Sequence, residues 1–166
     1  MPLLIGTALP SLEGASEWIN GDCESASSMD APLLVQFWSI SCPACKNGMP
    51  GVMRLLDTYR NHDLRLLSIH MPRGPWDLDV EKIKAAIAEF GLTGPCAIDN
   101  EHTLGRAFQT ARLWPSYFFF DAQGRLRSRA AGELGLKMAE NSLKRILGAN
   151  EKEPLSPQGI LANDIQ

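Results

Sequence analysis

No apolar run in this chain approaches the ~20 residues that a membrane-spanning helix needs, so no transmembrane segment is expected. It has no excess of cations: 16 Lys and Arg face 19 Asp and Glu, a net charge of -3 with three histidines counted neutral. That balance gives nucleic acid and anionic membranes no electrostatic footprint, and neither is expected as a partner. A Gly-rich dinucleotide fingerprint is missing, as is a second close pair of metal ligands. No cofactor and no metal is therefore expected. Met1-Pro2-Leu3-Leu4-Ile5-Gly6 has no basic region and too short an apolar stretch for a signal peptide, which predicts a cytoplasmic protein. Repeats and low-complexity tracts are absent too. With 166 residues, 45% of them hydrophobic, the chain fits one soluble domain with a substantial core.

Cysteines are few: Cys23, Cys42, Cys45 and Cys96. In a cytoplasmic chain they are a poor basis for a structural disulfide framework, and a close pair points to catalysis or metal binding. The close pair is Cys42-Pro43-Ala44-Cys45. Ahead of it lies Leu33-Leu34-Val35-Gln36-Phe37-Trp38, a buried-strand pattern. Behind it Met49, Val52, Met53, Leu56 and Tyr59 share one face at helical spacing. Two thiols at a helix start can close a disulfide between neighbouring turns. The first also meets the positive end of the helix dipole and unpaired N–H groups, both of which favour thiolate, the nucleophile of disulfide exchange.

The rest of the chain reads as alternating strands and helices. Residues 1 to 30 are rich in Gly, Ser, Asp and Ala, with a short strand at Trp18-Ile19. A strand at 33–39 leads into a helix from Cys42 to Arg60, which Pro50 should kink. A second strand spans Leu64 to Met71 and ends near His70. Pro72, Gly74 and Pro75 make the next segment a loop, and a helix follows from Asp79 to a stop at Gly91. A short strand at Pro95–Asp99 and a short helix at Leu104–Phe108 precede a hairpin, Ser116–Phe120 with Leu126–Arg129. A last helix covers 135–147. The domain is drawn as 1–148, with a polar, mobile tail over 149–166. Strand–helix–strand units imply a mixed, partly parallel sheet with helices on both faces, an α/β fold.

This order, with Cys-x-x-Cys at the first strand–helix junction, resembles the thioredoxin fold. Phe37-Trp38 ahead of the motif, Pro50 eight residues after Cys42 and Trp114-Pro115 before the Phe-rich strand carry the resemblance. The N-terminal extension and the segment near 91–108 are similar to the TlpA-like branch. Phe37–Cys42 and His70-Met71-Pro72-Arg73 resemble small cytosolic thiol–disulfide oxidoreductases of bacilli. The resemblance covers residues 5 to 148. It implies a cis bond at Pro115, an exposed attacking Cys42, a buried resolving Cys45, and a substrate-binding surface of Trp38, Pro43, Ala44, Trp114 and Pro115. The sequence departs from the family at two places. Gln36 stands where thioredoxins carry a buried aspartate, and Gly48 where some TlpA-like reductases carry a glutamate. Gln36 and His70 are the candidates for supporting proton transfer, although glutamine cannot itself take a proton.

The resemblance implies a thiol–disulfide oxidoreductase that reduces protein disulfides through a mixed disulfide, is regenerated by a thiol electron donor and acts as a monomer. Two rivals stay open: a thiol peroxidase of the same fold, and a zinc or copper module built on Cys42, Cys45 and His70. Cys96 is expected to be a buried core residue, Cys23 exposed and incidental, and Arg73 a solvated loop charge.

Overall fold

The computed structural model describes residues 2–148; the tail expected over 149–166 lies outside them. In chain order the elements are β1 (Glu17–Ile19), α1 (Cys23–Ser27), β2 (Leu33–Trp38), α2 (Pro43–Thr58), β3 (Arg65–His70), α3 (Val80–Phe90), β4 (Cys96–Ile98), α4 (Thr103–Ala107), β5 (Ser116–Phe120) and β6 (Leu126–Ala131). A last helix, α5, covers 135–148. Short 3₁₀ turns at Arg60–His62 and Pro75–Asp77 follow α2 and β3.

All six strands join one sheet in the order β1-β4-β3-β2-β5-β6. β2, β3 and β4 are parallel neighbours, with α2 and α3 as crossovers. β5 and β6 add an antiparallel hairpin on the other side of β2, and β1 pairs antiparallel with β4. The expected α/β thioredoxin-like fold is therefore the one observed. β2 is central and every residue of it is buried, five of them apolar and the sixth Gln36.

Alternation along the strands splits the core. Leu34, Tyr117 and Phe119 face α2 and α5, while Trp38 and Ile98 face α2 and α3. On the opposite face Phe37, Phe108 and Phe118 meet edge to face at centroid distances of 5.2–5.9 Å. Two five-residue helices, α1 and α4, the N-terminal segment and loop residues such as Met71 and Trp114 cover that side. The segment is held by backbone bonds, Gly6 N–H to Leu126 O and Leu126 N–H to Thr7 O.

Helix ends follow their capping residues. Asp79 accepts from the N–H groups of Glu81 and Lys82 to start α3, and Gly91, at φ 74°, ends it in the left-handed region. The expectations missed α1. Asp22 and Ser25 cap it reciprocally, and Cys23, expected to be exposed, is half-buried against the core. The parallel pairing brings the C-terminal ends of β2 and β3 side by side, where the loop to α2 begins.

Candidate active site

Cys42 ends the loop after β2 and is the N-cap of α2, with Pro43 at the first helical position. Proline fits there because it supplies no N–H and its fixed φ suits the first turn. Cys42 and Cys45 form a disulfide, with Cα atoms 5.3 Å apart, and the Cys42 sulfur accepts from the Cys45 N–H at 3.1 Å. A thiolate at the same place would meet the same donor. The expected contrast in exposure is narrow: Cys42 keeps 3% of its surface and Cys45 none. In the oxidised state Cys42 is thus buried rather than exposed. Pro43 is exposed and Ala44 half-buried, so the motif meets solvent through these two residues.

Trp38 is fully buried in the same apolar cluster as both cysteines and Met49. Its ring lies edge-on to His70, with centroids 5.1 Å apart. Gln36, on the same face of β2, is also fully buried. Its amide donates to Met49 Sδ at 3.5 Å, one helical turn beyond Cys45, while its Oε1 has no hydrogen-bond partner among the described residues.

Trp114-Pro115 is a cis peptide bond. The Trp114 indole donates to Met71 O at 2.7 Å, which ties the loop before β5 to the loop after β3. Pro115 and Ala44 line one groove of about 550 Å³ between α2 and α5, with Tyr117 and Leu136. The structure thus brings the motif and the 114–115 loop to one surface.

His70 differs from the expectation. Its Nε2 accepts from the Ile40 N–H at 3.2 Å, and burial lowers its pKa from 6.5 to about 4 against the attraction of Asp77. The one lone pair of a neutral imidazole is already used, so the ring is placed to hold Ile40 rather than to accept a proton. Arg73 is exposed, as expected, and also donates from Nη1 to Ser41 O at 2.7 Å. Among the described residues no group of three or more His, Cys, Asp and Glu could hold a metal ion, and no helix is long and apolar enough to cross a membrane.

Asp77 was not foreseen. It is fully buried, and its Oδ2 accepts from the Ser41 hydroxyl at 2.9 Å and the Arg73 N–H at 2.8 Å. Ser41 Oγ then accepts from Trp76 Nε1 at 3.3 Å and lies 3.3 Å from Ser39 Oγ. One hydroxyl proton and two lone pairs are thereby used up. The segment 70–77 grips residues 39–41, immediately before Cys42. The one sequence hint is an acid between two large apolar residues, Trp76-Asp77-Leu78.

The comparisons agree with this geometry. The AhpC/TSA family model matches residues 5–129. The thiol-disulfide oxidoreductase YkuV of Bacillus subtilis (strain 168) is 40% identical over 144 residues, 86% of this chain and 96% of that protein. A thioredoxin-like protein solved in solution in its oxidized form superposes with a TM-score of 0.76 at 39% identity, over 87% of this chain and 97% of that one. A secreted Mycobacterium tuberculosis disulfide oxidoreductase shares the fold at 15% identity and a TM-score of 0.59, over 76% of this chain and 88% of that one. An exposed lipoprotein thioredoxin of Streptococcus pneumoniae shares it as well, with a TM-score of 0.57 at 19% identity over 72% and 87% of the two chains. These two correct the cytoplasmic expectation: relatives of this fold are secreted or displayed outside the cell, and the N-terminal residues do not confine the chain to the cytoplasm. With its family model matched over most of the domain and its Cys42–Cys45 disulfide at the start of α2, the chain belongs to the AhpC/TSA family and is a thiol–disulfide oxidoreductase of thioredoxin fold.

Proposed function

We propose that the protein reduces disulfides in polypeptide partners, as a monomer, in the manner of the small thiol–disulfide oxidoreductases of bacilli. The observation that carries this reading is the Cys42–Cys45 disulfide at the N-cap of α2. In the reduced protein Cys42 thiolate attacks one sulfur of the partner's disulfide. A mixed disulfide forms and the partner's other sulfur leaves as thiolate. Cys45 then loses its proton and attacks the Cys42 sulfur. The second partner sulfur leaves, and two electrons have passed from the dithiol to the partner, which ends as two thiols once protonated. A thiol electron donor restores the dithiol. Pro43 and Ala44 bring no cation to hold Cys42 as thiolate, which supports reductase rather than strong oxidant duty.

Trp38 walls the dithiol from below, while Pro43, Ala44, Trp114 and Pro115 form the face that a partner chain meets. Gln36 positions α2 beneath Cys45 through Met49. His70 fixes Ile40, so Cys45 gives its proton to solvent or to the leaving thiolate. The domain responsible is residues 1–148.

The test is insulin reduction with dithiothreitol as electron donor. Cys42→Ser should abolish turnover, whereas Cys23→Ser and Cys96→Ser should keep it. Retained activity without Cys42 would refute the mechanism.

A further inference from the structure

Trp76 is a large apolar side chain left 66% exposed beside the dithiol. Two features hold it in place. Its indole N–H is bonded to Ser41 Oγ, and Ser41 directly precedes Cys42. Its ring also lies against Gly74, where an added Cβ would stand inside contact distance of the ring. Glycine there is what permits the close approach. An aromatic face fixed at both ends loses little entropy when it binds a second apolar group.

Trp76 borders a groove of about 530 Å³ that Pro115 does not line. Apolar Ile40, Ala86 and Phe90 line it, with Lys46, Lys82, Glu89 and the buried Asp77 as its ionisable residues. Residues that line the groove flank the motif in the chain: Ile40 and Ser41 lead into Cys42, and Lys46 follows Cys45.

Resting on the reductase reading above, we infer that Trp76 is a specificity-determining residue that docks an aromatic or long apolar side chain lying next to the partner's reactive cysteine. The docked side chain would cover the exposed indole and fill the apolar part of the groove, while the partner's disulfide faces Cys42. Partners carrying only small polar residues beside the cysteine would leave the indole in water and gain nothing from it.

The test compares two disulfide-linked peptide dimers, identical except for Phe or Ser beside the cysteine, with dithiothreitol as electron donor. The readout is the ratio of kcat/KM for the Phe peptide over the Ser peptide, in which changes of dithiol reactivity cancel. The unaltered protein should favour the Phe peptide by about tenfold, the size expected of a buried aromatic contact. Trp76→Ala should bring the ratio close to one. Gly74→Ala, which displaces the ring without removing it, should lower the ratio as well. Trp76→Phe should keep most of it, since it retains an aromatic face but loses the bond to Ser41. A ratio near one in the unaltered protein, or an unchanged ratio in Trp76→Ala, overturns the inference. Failure to reduce either peptide would instead overturn the reductase reading on which it rests.

Discussion

Cys42 and Cys45 are the same amino acid three positions apart, and their surroundings make them different. Cys42 caps α2 and faces the Cys45 N–H, while Cys45 lies within the helix with no exposed surface. Neighbouring side chains serve this arrangement in unequal ways. His70 is held neutral by burial, with a pKa lowered from 6.5 to about 4. Between those values the unfolded chain takes up a proton that the folded chain refuses, so stability is full above pH 6.5 and falls as the pH drops. The loss is about 1.4 kcal/mol per pH unit, or about 3 kcal/mol by pH 4. Urea unfolding at pH 7 and pH 4.5 should show a steeper loss in the unaltered protein than in His70→Gln, whose amide oxygen can still accept from Ile40. Equal losses would mean that His70 titrates freely in the fold. Gln36 is a second case. Its Oε1 is buried without a partner among the described residues, so Gln36→Leu should leave stability nearly unchanged. If its bond to Met49 positions Cys45, the same variant should resolve a mixed disulfide about fivefold more slowly, the equivalent of roughly 1 kcal/mol. Quenched-flow measurement of the mixed-disulfide lifetime would decide it.

At the scale of elements, the strand ends and the loops between them determine where the sulfurs sit. The 70–77 segment holds the 39–41 loop by Ile40 N–H to His70, Ser41 Oγ to Asp77 and Arg73 to Ser41 O. Removing the buried acceptor in Asp77→Ala would orphan the Ser41 hydroxyl and the Arg73 N–H, at a cost of about 2–3 kcal/mol. Turnover should fall with it, because Ser41 precedes Cys42. Asp77→Asn keeps an acceptor oxygen and should restore most of the activity. Failure of Asn to rescue would show that the carboxylate charge, not the bond, matters. Away from the site, Asp79→Ala should cost about 1 kcal/mol through the lost cap of α3, with turnover unchanged. Chemical denaturation alongside the insulin assay separates the two effects.

For the whole molecule, local signals in the sequence sufficed for the frame. The apolar run at 33–38, the Cys-x-x-Cys, Pro50 and Trp114-Pro115 each declare themselves within a few residues. Together they specify the parallel β2–β3–β4 core and the antiparallel hairpin. What escaped the sequence depends on distant pairing. Ser41 and Asp77 are 36 residues apart, and nothing in either segment names the other. Arg73 is exposed as its loop sequence suggested, but nothing in that loop names its acceptor, a backbone carbonyl 32 residues earlier. α1 was missed because its Asp22 cap lies in a Gly- and Ser-rich stretch whose composition suggested loop. The compartment was misjudged for another reason: the packing of the fold does not encode it, and proteins with the same architecture are secreted or displayed outside the cell. The chemistry itself rests on one ordered pair of sulfurs. The measurement that tests it most directly is mass-spectrometric mapping of Cys45→Ser after reaction with oxidised insulin. The expected result is a stable adduct in which an insulin chain is joined to Cys42 alone and dithiothreitol releases it. An adduct on Cys23 or Cys96, or none on Cys42, would contradict the assignment of Cys42 as the attacking thiol.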